Sequence, residues 1–256
     1  MKKITLFLLV LCLVFSTCIL TACAPSSTDL ISKAVEKTSK LDSYKADLNI
    51  DMDIKVQGTT VSMPISMSMK VEGLQGDAPQ VDGDLNMTVM DQKIEMDVYS
   101  DGEWSYFSTS GQKYKQKIDE ENKSYSDTAN SLLQDIPEDV LKDVEPVKND
   151  DGSYTIEFEM DSEQFKEVFE EAIKSAESSS GSAEEGSVDI DDAKIKIVID
   201  DEYIKTYEIS FDMSMKVSGQ TAEASVEMSI EFKDYNGEYN IEPPTDYKKY
   251  KELPKQ

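Results

Sequence analysis

Residues 48–56, LNIDMDIKV, and residues 61–71, VSMPISMSMKV, decide the fold of this chain. In the first, Leu48, Ile50, Met52, Ile54 and Val56 alternate with Asn49, Asp51, Asp53 and Lys55. In the second, Val61, Met63, Ile65, Met67, Met69 and Val71 alternate with Ser62, Pro64, Ser66, Ser68 and Lys70. Successive side chains on a strand point to opposite faces, so this alternation means strands with one buried and one wet face. Gly58-Thr59-Thr60 supplies a hairpin turn between them. Pro64 has no N–H to give to a ladder, so the second strand is expected at a sheet edge or with a bulge.

The same signal recurs on both sides. Leu85, Met87 and Val89 alternate, then Ile94, Met96 and Val98; Asp101-Gly102 turns into Trp104, Tyr106 and Phe107, and Ser110-Gly111 turns into 113–118. Farther on, Asn149-Asp150-Asp151-Gly152 precedes Tyr154, Ile156, Phe158 and Met160. Ile195, Ile197 and Ile199 lead to a run from Tyr207 to Val217, and after Gly219 a last run extends from Ala222 to Phe232. Residues 50–58 (IDMDIKVQG) echo residues 211–219 (FDMSMKVSG). Duplication and shared hairpin constraints explain this echo equally well. A tail with Pro243-Pro244, Tyr247 and Tyr250 is expected to pack irregularly.

Helical spacing interrupts the strands three times. Leu30, Ile31, Ala34, Val35, Thr38 and Leu41 predict an amphipathic helix over 29–41, with Thr28 as N-cap. Ala129, Leu132, Leu133 and Ile136 predict a second, stopped by Pro137, with one further turn at Val140, Leu141 and Val144. Asp161 and Gln164 form a capping box opening a third, with Phe165, Val168, Phe169, Ala172 and Ile173 on one stripe. Residues 176–187 are acidic and serine-rich, too polar to order themselves, and read as a mobile loop, either a spacer or a lid. The expected fold is α+β: a large curved antiparallel sheet, an open half-barrel of about ten or eleven strands, with about three helices covering its concave face. It forms a single domain over 29–256.

The start of the chain gives an address. Lys2 and Lys3 precede an apolar run from Ile4 to Leu20, the layout of a secretory signal; an uncleaved signal anchor is the alternative. Leu20-Thr21-Ala22-Cys23 resembles the bacterial lipobox. That resemblance implies cleavage after residue 22, a diacylglyceryl group on Cys23 and a tether over 23–28. The expected location is the extracytoplasmic face of the cell membrane, held by lipid, since multiple acyl chains anchor durably. The other cysteines, Cys12 and Cys18, fall inside the signal, so no disulfide framework is expected.

Composition excludes several functions. The net charge is −26 and the chain has neither histidine nor arginine. Strong negative charge repels nucleic acid and anionic headgroups, and without arginine there is no bidentate fork for phosphate. Without histidine the usual general base and metal ligand are missing, so no catalytic residue, cofactor or metal is expected. Asp189, Asp191 and Asp192, or Asp150 and Asp151, could meet a hard cation, but neither stretch has the spacing of an EF-hand loop, and ordinary turns or solvated faces are the favoured reading.

The apolar strand face is rich in methionine: Met52, Met63, Met67, Met69, Met87, Met96, Met213, Met215 and Met228. Met90 alone falls off the alternation. Methionine is flexible and polarisable and fits irregular partners, so this face is the candidate surface for an apolar ligand such as a lipid tail; the plainer reading is core filling under the helices. The order of lipobox, amphipathic helix ending Lys40-Leu41-Asp42-Ser43-Tyr44, long hairpin meander, helices and final hairpin resembles the LolA/LppX-like lipoproteins. That resemblance implies an open curved sheet capped by helices, with lipids or lipoproteins carried between in some members. The expected partners are the membrane, and either a lipid ligand or a surface protein; a non-catalytic interaction, sensor or assembly module is the alternative function.

Overall fold

The computed structural model of the chain describes residues 25–76, 78–90, 92–118, 136–168, 188–217 and 220–253. Cys23 and the leader, most of the helix expected before Pro137, and the 176–187 loop lie outside them.

Alternation becomes strand throughout. β1 (Ser43–Val56) and β2 (Thr59–Glu72) pair over their full length. They turn through Gln57 and Gly58, at φ 52° and 81°. Two such left-handed residues match the natural twist of the strands. β3 (Gln80–Val89), β4 (Gln92–Ser100), β5 (Trp104–Thr109) and β6 (Gln112–Lys117) continue the meander. The C-terminal half supplies β7 (Val147–Lys148), β8 (Tyr154–Met160), β9 (Val188–Ile190), β10 (Ala193–Asp200), β11 (Tyr203–Val217) and β12 (Gln220–Lys233). A single 3-10 turn, Tyr247–Lys249, and β13 (Lys251–Glu252) close the described chain.

The result is one open curved sheet of thirteen strands, in the order β13-β6-β5-β4-β3-β2-β1-β12-β11-β10-β8-β7, with β9 also on β11. The expected ten or eleven are exceeded because β7, β9 and β13 have only two or three residues each, too few for a period to show. All pairings are antiparallel except β13 on β6. The meander and the C-terminal half meet at β1 and β12. The echoing residues 50–56 and 211–217 belong to β1 and β11, which flank β12 and run in the same direction.

Pro64 is accommodated without a bulge: β2 keeps an unbroken register with β1 across it. Pairing with β3 begins only at Ile65. At Pro64 the strand is therefore an edge, and beyond it an interior strand.

Two helices flank the sheet, and a third starts at residue 162. α1 (Ser27–Thr38) begins and ends earlier than the spacing suggests, and its N-cap is Ser26 rather than Thr28. The Ser26 Oγ accepts from the Asp29 N–H at 3.1 Å. The next residue, Ser27, is buried and donates its hydroxyl to the Val144 carbonyl at 2.7 Å. At the other end, Gln75 donates to the carbonyls of Ser39 and Leu41 and draws the chain out of the helix. α2 (Glu138–Leu141) is the single turn expected after Pro137. The helix at 162–168 opens on the expected capping box: Gln164 N–H donates to Asp161 Oδ1 at 2.9 Å, and Asp161 N–H to Gln164 Oε1 at 3.3 Å.

The main core lies where these helices meet one end of the sheet. Leu30, Ile31 and Ala34 of α1 and Phe165 pack with Ile156, Met160, Ile195, Ile197 and Ile209, all buried. The tail has no helix or strand over 237–246, as expected, and ends in the 3-10 turn and β13. Tyr250 is buried against Tyr99 and Tyr106, and Lys113 holds Asp246 at 2.7 Å.

Candidate apolar binding face

Directly opposed residues in a sheet share a face, so the registers place every expected methionine. One row across the sheet runs Ile197, Tyr207, Ile230, Leu48, Met67, Leu85, Met96. The next runs Ile195, Ile209, Met228, Ile50, Ile65, Met87, Ile94. A third joins Phe211, Val226, Met52 and Met63. Met213 and Met215 oppose Ala224 and Ala222, and Met69 opposes Ala46 and Gly83. The eight with described side chains therefore lie on one face, and Met215 shares their register. Met90 does not: it sits in the β3–β4 turn at φ 48° and is 74 % exposed.

That face changes character along the rows. Over β8, β10 and β11 residues of the helices pack with it in one core, and Ile156 and Ile197 are fully buried. From β12 to β4 most of the same apolar row is only half-buried, including Leu48, Met52, Met63, Met67, Met87 and Met96. Met213 and Met228 stand at the border, packed against the main core. A cleft of about 340 Å³ also opens between α1 and α2, lined by Ile31, Val35, Ile136 and Leu141 among others.

The opposite face is polar and laced by cross-strand contacts. Ser68 donates to Asp47 at 2.7 Å and Lys233 reaches the same carboxylate at 2.9 Å. These two contacts, the serine first, hold the Asp47 carboxyl below its ordinary pKa. Lys196 bridges both oxygens of Glu208 at 3.1 Å. This face carries a depression of about 730 Å³ bordered by Asp51, Glu157, Glu159, Lys194 and Glu227, and a second of about 450 Å³ at Asn86 and Lys93. Sequence alternation marks this face as wet; it does not show that it is hollowed.

The aspartates considered for a cation are used structurally, with Asp150 and Asp151 in a turn and Asp189 in β9. Asp151 accepts from the N–H and hydroxyl of Ser153, and Asp192 accepts from the Ser162 N–H. Among the described residues, no group of three or more carboxylate or thiol side chains is placed to hold a metal.

A family profile matches residues 26–252, from the α1 cap to the last strand. The chain belongs to DUF6612, a family of unknown function. No match is found among curated proteins. Among solved structures, LprF from Mycobacterium bovis aligns over 86 % of this DUF6612 chain and 99 % of its own, at 13 % identity and a TM-score of 0.44. A domain assigned as an outer membrane lipoprotein-sorting protein from Vibrio parahaemolyticus aligns over 83 % and 92 %, at 10 % identity and 0.25. A beta-barrel-like DUF1849 protein from Brucella abortus aligns over 76 % and 99 %, at 10 % identity and 0.24.

Proposed function

We propose that this protein is an extracytoplasmic lipoprotein, anchored through Cys23, that binds an apolar ligand of the lipid or acyl-chain class. The ligand lies on the methionine-bearing face, starting where the helix-packed core ends and running along the strip from β12 to β4. The observation carrying this reading is the half-buried apolar strip from β12 to β4, one side of a sheet whose other side is charged. Flexible thioethers suit a ligand without fixed shape, and covering apolar area contributes roughly 25 cal/mol per Å². The reading is non-catalytic, with no cofactor.

Native mass spectrometry of protein purified without detergent tests it. A stoichiometric apolar adduct that is lost in Met67→Glu is expected, since Met67 sits mid-row between Leu48 and Leu85. A wild-type protein that stays empty and takes up no lipid would sink the reading. For the anchor, Cys23→Ala is expected to abolish metabolic labelling with a fatty acid; unchanged labelling would remove it.

A second reading, a surface interaction module, draws on the 730 Å³ depression of the charged face. Its test is crosslinking from Lys194 to a protein partner, with loss of the crosslink in Glu159→Lys.

A further inference from the structure

Among the described residues, the apolar face holds a buried hydroxyl with nothing to bind. Tyr207 is 3 % exposed, within the main core, and its hydroxyl has no hydrogen-bond partner. Such groups are rare, because burying a hydroxyl without a partner forfeits its bonds to water and gains none in return. Burial alone pushes the phenol pKa up; no neighbouring charge contributes. A second unpartnered hydroxyl, on Thr38, belongs to α1, a helix that packs on β11.

The position of Tyr207 in its row is informative. On one side is Ile197, fully buried. On the other, Ile230, Leu48 and Met67 are half-buried. Tyr207 thus stands where the closed core gives way to the open strip, at the strip's inner end.

We propose that the Tyr207 hydroxyl donates a hydrogen bond to the carbonyl of an ester-linked acyl chain lying along this strip, so that the site selects acyl esters over plain hydrocarbon. The proposal rests on the apolar-ligand reading and names its ligand class. A neutral carbonyl satisfies the donor, and the chain beyond it covers Ile230, Leu48 and Met67. A free carboxylate is a poorer occupant, because its charge would be buried with no arginine in the chain and only a phenol to face it.

The test uses two probes of similar length, methyl palmitate and heptadecane, each displacing the neutral dye N-phenyl-1-naphthylamine. Wild type is expected to prefer the ester by roughly three- to tenfold, the span of one net hydrogen bond. Tyr207→Phe is expected to keep heptadecane affinity and lose the preference. Thr38→Val is the control and keeps it. If Tyr207→Phe gains thermal stability but retains the ester preference, the hydroxyl is only a defect of the core and the proposal fails. If heptadecane binds wild type and the ester is not preferred, the proposal fails while the apolar-ligand reading stands. If neither probe binds wild type, both fall.

Discussion

Single residues decide how closely β2 and β3 approach. Gly83 is buried opposite Met69 and Val98 on the apolar face. A Cβ there would lie 2.7 Å from the Ser68 carbonyl, part of the backbone and unable to swing away. Gly83→Val is therefore expected to cost about 1–3 kcal/mol, read as a lower urea midpoint, with the loss concentrated in β2–β3 amide exchange. At α1, Ser26→Ala removes the cap and is expected to cost about 1 kcal/mol, while Thr28→Ala, one residue inside the helix, costs less. Equal losses in the two variants would assign the cap wrongly. Sequence reading placed the cap at Thr28 because spacing marks where apolar residues recur, whereas the cap is set by which hydroxyl reaches a free N–H. Which strand positions share a side of the sheet was legible, since period two alone sorts them. Tyr207 was not: in the run from Tyr207 to Val217 it reads as one more apolar position, and only the three-dimensional surroundings leave its hydroxyl without a partner.

At the scale of elements, hairpins were legible and small edge pieces were not. β4, β5 and β6 follow from alternation and from the positive-φ turn at Ser110 and Gly111. β13 has no pattern at all and exists because the tail is tied to its neighbours. Tyr250 sits edge-on to Tyr106 at 5.5 Å, and the Leu253 N–H donates to the Lys115 carbonyl at 2.9 Å. This segment covers the free side of β6, and open strand edges invite pairing between chains. Deleting residues 247–253 is expected to uncover Tyr99 and Tyr106 and to produce concentration-dependent association in sedimentation velocity. A truncated chain that sediments and melts like the full one would show that the tail guards nothing.

For the whole molecule, charge and burial act in opposite pH ranges. Burial pushes the phenols of Tyr207 and Tyr235 up and raises those of Tyr106 and Tyr239 to about 12. In the unfolded chain a tyrosine releases its proton near pH 10. The stabilisation is thus fully present below about pH 10 and declines as pH rises toward the folded values. Urea midpoints are expected to fall between pH 10 and 11, and to fall less in Tyr207→Phe; a flat profile would contradict the burial of these phenols. Carboxyls held low, such as Asp47 and Asp246, act in the other direction: their contribution is present above about pH 4 and is lost as acid protonates the fold.

The seam between β1 and β12 has a consequence in time. A chain emerging N-terminus first presents β1 to β6 as a finished meander long before β12 exists. Until residue 233 appears, the flank of β1 that receives β12 stays bare, and the half-formed greasy surface beside it has no cover. Closing such distant partners is slow and leaves intermediates prone to clumping. The molecule is thus most vulnerable during its own birth, and a holding chaperone that grips β1 would shelter it until the last strand arrives.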